Sequence, residues 1–409
     1  MGEINLMDRN LSEKVKLTRM ARKLTVGGET KEYQVYKIRL DLLRYNAQND
    51  RIATRMSEYA EGHNGQLPDC SNQEEFNSII EEYIVNSNPD RMAATELSIK
   101  ENGQQEPGVV LANGLVIDGN RRFTCLRRLA RKNDQFNWFE ASILPSSIGD
   151  DRETIKCLEL ALQFGREERV GYDPIDRLVG IYRDLIDPET KIETLTQEKY
   201  ARSAGISTSE LNKLMKQANL MVEFLKFANA DKHFSLARTL KISGPLGELD
   251  ALFKKCSDEA QIERVKTHAF ANILVEPEDI TRFMRKMKNI VGSGNCEDYL
   301  QQEDDLAAEV ADRLGALETV DATSIRNEIR GDENLKQQML DAVNDAKKNV
   351  TRGSLLASPK KAIDNARTCL GEVDLEILES LPSELKRDVK QSLDNLRESI
   401  DRIDTIVAE

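Results

Sequence analysis

The sequence is poor in the residues and segments that define several common classes of protein. It has only three histidines, and its six cysteines include no CxxC pair. A structural zinc site needs closely spaced Cys or His ligands, so we expect no metal site and reduced thiols. No run of about 18 apolar residues occurs, and the first residues, MGEINLMDRN, contain no apolar signal segment. We therefore expect a cytoplasmic protein that neither spans a membrane nor is exported.

The chain also lacks an overall excess of positive charge. Its net charge of -13 argues against a protein that coats nucleic acid along its whole length. By count, residues 301–409 carry about -9 of this charge, which leaves residues 1–300 nearly balanced and able to form local basic patches. The 409 residues can bury two or three cores, and 39% hydrophobic residues exclude global disorder.

Hydrophobic periodicity predicts an α+β fold, with strands confined to the first part of the chain. YQVYKIRLDLL alternates like a half-buried strand, residues 75–101 read as helical up to Gly103, and the two halves of GVVLANGLVID predict a hairpin around Asn113-Gly114. A helix from Arg121 and the strand FEASILP follow. From Asp151 onward the pattern is helical, with breaks predicted at SGPLG (243–247) and GSGN (292–295).

One stretch, VIDGNRRFTCLRRLARK (116–132), concentrates six basic side chains behind a turn. A helix start presents unpaired backbone N–H groups and the positive end of the helix dipole. Gly119 followed by Arg121 and Arg122 would therefore place main-chain donors and two guanidinium groups around one point, which suits phosphate. The alternative is a tight turn whose arginines face solvent, and the local sequence does not decide between them.

Residues 195–221, LTQEKYARSAGISTSELNKLMKQANLM, have the spacing of a DNA-binding helix-turn-helix. Small Ala201 allows two helices to cross closely, Gly205 supplies the turn, and the aliphatic residues after it lock the second helix to the first. The second helix should begin near Ser207 and present polar side chains that can contact phosphates and base edges. These side chains are Ser207, Thr208, Ser209, Asn212, Lys213 and Lys216. An ordinary helical hairpin is the alternative.

The stretch from Leu97 to Leu185 resembles the ParB/sulfiredoxin-like domain of ParB-type DNA partition proteins. LSIKENGQQEPGVVL looks like the first conserved box of that family, VIDGNRRFTCLRRL like the second, and CLELALQFGREERVGYDPIDRLVGIYRDL like the third box and the helix beyond it. In that family a helix-turn-helix follows the third box directly, as residues 195–221 do here.

The resemblance implies a nucleotide site and a homodimer. Such domains bind CTP or another nucleoside triphosphate, with Mg²⁺, and close a protein clamp on double-stranded DNA. The residues that would meet the nucleotide are Gly119, Asn120, Arg121, Arg122, Thr124 and Arg169. Two departures bear on turnover: Asn120 replaces the usual Glu, and QFGREER lacks the expected acidic-amide pair that helps to hold the metal. Whether the chain is a weak, CTPase-like nucleoside triphosphatase stays open.

These observations together predict a small N-terminal ParB/sulfiredoxin-like α/β domain, then an all-α helix-turn-helix region and a helical C-terminal region. The expected boundaries are 1–30 for a flexible basic arm, 31–160 for the nucleotide-binding domain, 161–235 for the DNA-binding domain, 236–300 for a helical subdomain and 301–409 for an acidic association region. The expected function is nucleotide-regulated DNA binding in DNA partition or in plasmid- or phage-related DNA transactions.

Two other functions fit parts of the pattern. DGNRRFT also resembles the turn of a family of restriction-endonuclease components, so a nuclease or NTPase subunit of a phage-defence system is one alternative. A non-catalytic adaptor with a degenerate nucleotide site is the other. Sulfiredoxin activity would need a cysteine where Asn120 stands.

The end of the chain predicts an association helix. Its apolar residues recur in steps of four and three, which approximates a heptad seam. They are Val389, Leu393, Leu396, Ile400, Ile403 and Val407. The seam fits either a homodimer coiled coil or packing on the helix's own domain, and the acidic blocks QQEDDLAAEV and GEVDLEILES could dock a basic protein partner.

Overall fold

The computed structural model describes residues 4–47, 49–145, 151–164 and 173–408. The chain divides into two compact units, Met1–Asn344 and Asp345–Glu409. The larger unit begins with a mixed six-stranded sheet and continues with helices, so the predicted α+β class is confirmed. No helix in the described ranges is long and apolar enough to cross a membrane.

Six strands form one sheet in the order β1-β2-β6-β4-β5-β3. Their bounds are β1 Val15–Val26, β2 Glu29–Arg39, β3 Arg44–Tyr45, β4 Gly108–Leu111, β5 Leu115–Asp118 and β6 Trp138–Leu144. The pairs β1–β2, β2–β6 and β4–β5 are antiparallel, whereas β4–β6 and β3–β5 are parallel. The predicted hairpin around Asn113-Gly114 is therefore present as β4–β5, and all of FEASILP except its last residue, Pro145, lies in β6.

Helices joined by turns and loops make up the rest of the described chain. Among and after the strands lie α1 Ala53–Gly62, α2 Gln73–Ser87, α3 Pro89–Asn102, α4 Asn120–Ala130, α5 Arg152–Phe164, α6 Pro174–Ile181, α7 Gln197–Ala204, α8 Thr208–Phe227 and α9 Phe234–Thr239. The later helices are α10 Ser243–Phe253, α11 Glu259–Val275, α12 Ile280–Val291, α13 Cys296–Ala316, α14 Ala322–Ser324, α15 Glu333–Gly371, α16 Leu375–Ser380 and α17 Ser383–Ala408. No described residue after β6 forms a strand.

The central strands are buried on both faces, which explains their continuous apolar sequence. Successive side chains point to opposite faces of a strand. Val110 accordingly packs in the core with Phe123 of α4, whereas its neighbours Val109 and Leu111 pack in the core with Leu158 of α5. The sheet therefore holds α4 and α5 on opposite faces.

The expected flexible arm at residues 1–30 is wrong. Residues 15–26 form β1, which pairs with β2 through a turn at Gly27-Gly28, both of which have positive φ. Most β1 side chains are exposed on both faces, so the strand carries little of the alternation by which a buried strand is recognised. Backbone pairing with β2 holds it instead.

Two predicted breaks in the helical region had different outcomes. GSGN lies between α12 and α13, as expected. SGPLG was expected to interrupt the helices, but it forms the first turn of α10. The first N–H groups of a helix have no intrahelical acceptor, so Pro245 costs no hydrogen bond there.

Candidate anion site and helix-turn-helix surface

The first predicted site lies at the turn between β5 and α4. Gly119 is the N-cap of α4 and adopts the left-handed φ of 98°. A Cβ atom at this position would lie 2.9 Å from Cζ of Phe139, so both the backbone angle and the space favour glycine. No side chain at the N-cap bonds to the first turn of α4. The start of α4 thus has the backbone conformation expected of an anion-binding turn.

Arg122 is held at this turn by carboxylates rather than left for a ligand. Its Nη2 lies 3.3 Å from Oδ2 of Asp118, and its Nη1 donates to the carbonyl oxygen of Glu106 at 3.0 Å. Arg22 of β1 also reaches Oδ2 of Asp118, at 3.3 Å, and donates to the carbonyl oxygen of Pro107 at 2.7 Å. The sequence did not place Arg22 here because residues 1–30 were expected to be mobile. Two arginines thus share one carboxylate beside Gly119.

The remaining residues that were predicted to contact the nucleotide differ in their positions. Thr124 is fully buried, and its Oγ lies 2.7 Å from the Tyr45 hydroxyl and 2.9 Å from the carbonyl oxygen of Asn120. Asn120 and Arg121 are half-buried at the helix start, and no described group bonds to the buried Oδ1 of Asn120. Arg169 lies outside the described residues. The structure therefore brings Gly119 through Arg122 together, and turns Thr124 into the core.

The other basic residues of this stretch mostly serve the fold. Arg127 is buried, with Nε 2.9 Å from Oε2 of Glu81, whose Oε1 lies 2.7 Å from Nη1 of Arg131. Arg128 pairs with Glu96 at 2.9 Å. These carboxylates come from α2 and α3, which pack against α4. The basic cluster seen in the sequence is therefore largely neutralised inside the protein.

The second predicted site, the helix-turn-helix, forms two helices joined at Gly205. α7 ends at Gly205, whose φ of 64° is left-handed, and α8 begins after Ser207. The Ser207 hydroxyl caps α8 by accepting from the backbone N–H of Glu210 at 3.1 Å. Ala201 and Leu211 are buried between the helices, as the spacing predicted.

The first turns of α8 present a polar surface. All six predicted DNA-contacting residues, Ser207, Thr208, Ser209, Asn212, Lys213 and Lys216, are exposed. Lys213 has no ion pair with any described residue, whereas Lys216 lies 3.0 Å from Asp250. Glu210 is also exposed and lies 3.6 Å from Arg177. Lys213 is therefore better placed than Lys216 to meet a phosphate.

Neither a metal centre nor a known relative defines the site. No group of three or more His, Cys, Asp or Glu side chains in the described ranges is arranged to hold a metal ion. No family model, curated protein or solved structure matches this chain. The function has to follow from the geometry of the α4 turn and of α8.

Proposed function

We propose that this protein is a ParB-like DNA-binding protein, regulated by CTP or another nucleoside triphosphate, that acts in DNA partition or in plasmid- or phage-related DNA transactions. The observation that carries the proposal is the α7–Gly205–α8 arrangement. A capped second helix with exposed hydroxyl, amide and ammonium groups on its first turns is the form in which a recognition helix enters a major groove.

The chemistry of this surface supports double-stranded DNA as the partner. Lys213 supplies a flexible charge for a phosphate, and Asn212 supplies an amide that can form two hydrogen bonds with an adenine edge. Lys216 and Glu210 already have partners of opposite charge, so Lys213 is the lysine near the start of α8 that no described carboxylate neutralises. A local cation of this kind is compatible with a chain that is acidic as a whole.

The turn before α4 supports the nucleotide-binding part of the proposal. Gly119 holds the backbone in the form used for phosphate contact, and the half-buried Arg121 stands beside it. The Oδ1 of Asn120 is an acceptor, so it suits a hydroxyl, amino or Mg²⁺-bound water group of the ligand rather than a phosphate oxygen. Hydrolysis should be slow or absent, because QFGREER lacks the acidic-amide pair with which the family helps to hold Mg²⁺, a cation that depends on oxygen ligands.

The exposed face of α17 supports the homodimer. The helix has no buried residue, and four of its six seam residues, Leu393, Ile400, Ile403 and Val407, are large and exposed. An apolar heptad seam in water is stabilised by a second such helix. A second copy of the chain supplies one by symmetry.

A non-catalytic adaptor with a degenerate nucleotide site is the second candidate. The observation that favours it is the pairing of Arg122 with Asp118 and Glu106, since phosphate would have to compete with two carboxylates. An adaptor would keep DNA binding and lose any response to nucleotide.

Direct binding measurements test the proposal. We expect the full chain to bind double-stranded DNA in a fluorescence-anisotropy titration, and at least one of the four ribonucleoside triphosphates to change that affinity. Calorimetry should show that Arg121→Ala weakens nucleotide binding by about 1.5–3 kcal/mol, the strength of a charge-assisted contact. Arg128→Ala, on the same helix and paired with Glu96, is the matched control and should bind nucleotide like wild type.

Each outcome selects one function. DNA binding without any nucleotide binding would support the adaptor. No binding to any duplex, in either the presence or absence of nucleotides, would contradict both candidates.

A further inference from the structure

A cavity of about 270 Å³, lined by both charged and apolar side chains, lies away from the α4 turn. It is lined by residues of β3 and the loop after it, of α5, and of the segment that follows α6. Leu115, at the start of β5, borders the cavity, whereas Gly119 follows the end of that strand. The cavity and the α4 turn therefore lie at opposite ends of β5.

The floor of the cavity is a buried network of charges. Nζ of Lys156 lies 2.6 Å from both Asp50 Oδ2 and Asp184 Oδ2. Arg183 contacts the same two carboxylates, with Nη2 2.6 Å from Asp50 and Nε 3.0 Å from Asp184. Lys156, Asp50 and Asp184 are each less than a tenth exposed. The two cations and two carboxylates balance one another, so this part of the network needs no ligand.

Two further arginines line the cavity, and no described carboxylate neutralises their charge. Arg44 on β3 forms no ion pair with any described residue. Arg152, at the start of α5, donates to the carbonyl oxygen of Thr190 at 3.0 Å and, within the described ranges, pairs with no carboxylate. Both guanidinium groups therefore retain donors for an anion.

The remaining carboxyl of the cavity, that of Glu159, does not neutralise the charge of both arginines. Glu159 is buried and accepts a hydrogen bond from Nδ2 of Asn46. Burial raises the pKa of Glu159 to about 7, so near neutral pH this group is only partly ionised. Among the described residues, the cavity and its floor thus hold four cations, Arg44, Arg152, Lys156 and Arg183, against three carboxylates, Asp50, Asp184 and Glu159. These residues leave an excess of one to two positive charges.

The size and walls of the cavity restrict what could supply the missing negative charge. About 270 Å³ lies just below the range of roughly 300–1,000 Å³ that is typical of ligand pockets. Phe76, Leu115, Ile155 and Ile192 supply an apolar wall. The ligand should therefore be compact, with one oxyanion group and little else that is charged.

We propose that this cavity binds a compact anionic metabolite through a phosphate or carboxylate group that meets Arg44 and Arg152. The site is separate from the α4 turn and does not depend on nucleotide binding there. A ligand held between β3, α5 and the segment after α6 would join the sheet to the helices that lead into α7. It would therefore stabilise the larger unit as a whole.

Anion binding to the full chain tests this proposal. Sodium phosphate and sodium propionate, compared with sodium chloride at the same ionic strength, separate a phosphate ligand from a carboxylate ligand. We expect at least one of the two anions to raise the midpoint of thermal unfolding and to give a saturable calorimetric isotherm. Arg44→Gln and Arg152→Gln should each weaken that binding by about ten-fold or more, because each removes a charge-assisted contact.

Arg19→Gln is the matched control. Arg19 is an exposed arginine of β1 that does not line the cavity, and its replacement makes the same change in charge. It should leave anion affinity unchanged, and circular dichroism should show that all three variants fold. If neither anion binds wild type, or if Arg44→Gln and Arg152→Gln bind like Arg19→Gln, the proposal is overturned.

Discussion

The helices α4 and α8 both carry several basic side chains, but the protein uses them in opposite ways. Arg122, Arg127 and Arg128 on α4, and Arg131 at its C-cap, each lie against a carboxylate, and Arg127 is buried. On the first turns of α8, Lys213 stands in solvent without an ion pair to any described residue. α4 therefore carries more basic side chains than the first turns of α8, but less of its positive charge is available to bind a partner.

The difference follows from what each helix packs against. α4 lies between the sheet and α2, and Glu74 and Glu81 of α2 face it. A buried arginine is tolerated only when such partners replace water. The first turns of α8 face solvent, where an ion pair would contribute little and exposed donors remain free to bind phosphate.

The largest expected effect comes from breaking the buried pair on α4. Arg127→Ala leaves Glu81 buried with only Arg131 as a charged partner, so we expect the free energy of unfolding to fall by roughly 3–5 kcal/mol. Urea denaturation measures the change. Arg128→Ala removes a half-exposed pair with Glu96 and should cost no more than about 1 kcal/mol. Equal losses in the two variants would show that burial does not distinguish these arginines.

A buried carboxyl that pairs with no described cation provides a contrast to Glu81. Glu303 on α13 is fully buried, its Oε2 accepts from Nδ2 of Asn272 at 2.6 Å, and no ion pair reaches it within the described residues. Burial raises the pKa of Glu303 from the ordinary range of a glutamate to about 8. Because the folded state holds this proton more tightly, the stabilisation is present below the unfolded pKa and is lost as the pH rises through about 8.

Glu303→Gln should therefore remove a pH dependence. Relative to wild type, the variant should gain roughly 2–4 kcal/mol of unfolding free energy between about pH 5 and pH 9. Urea denaturation at each pH gives the difference between the two proteins. A difference that stays constant with pH would mean that Glu303 ionises in the folded protein as it does in the unfolded chain.

On α8, Asn212 should affect which sequence is bound. Its amide can read one base pair, so Asn212→Ala should reduce discrimination at that position by roughly 1–3 kcal/mol while affinity for scrambled DNA stays the same. Competition between a selected duplex and its single-base variants measures this. Unchanged discrimination at every position would remove Asn212 from the contact surface.

The smallest expected effect is a change in the salt dependence of DNA binding, and Lys213 and Lys216 should differ in it. Lys213→Ala should weaken binding to every duplex. It should also reduce the slope of log affinity against log salt concentration by about one. Lys216 is already paired with Asp250, so Lys216→Ala should reduce the slope by less. Anisotropy titrations from low to moderate salt give both slopes. Wild-type slopes in both variants would mean that neither lysine contacts phosphate.

Local signals in the sequence were enough for several elements. The Asn113-Gly114 turn, the helical ends at Gly103 and Gly205, and the apolar spacing after Arg121 each depend on residues that are neighbours along the chain. Backbone conformations of this kind are set by φ preferences and by periodicity, both of which can be read locally. The strand β1 was missed because its pairing with β2, rather than its own pattern, stabilises it.

The sequence by itself determined the α+β order of elements, the Gly119 turn before α4, and the two helices around Gly205. Only the tertiary structure decided which charges those elements leave available. The partners of Arg127 and Lys156 lie on other elements, and Asp50 is 106 positions from Lys156. No local pattern encodes such a pairing, because the favourable energy of a buried ion pair exists only once packing has excluded water from both groups.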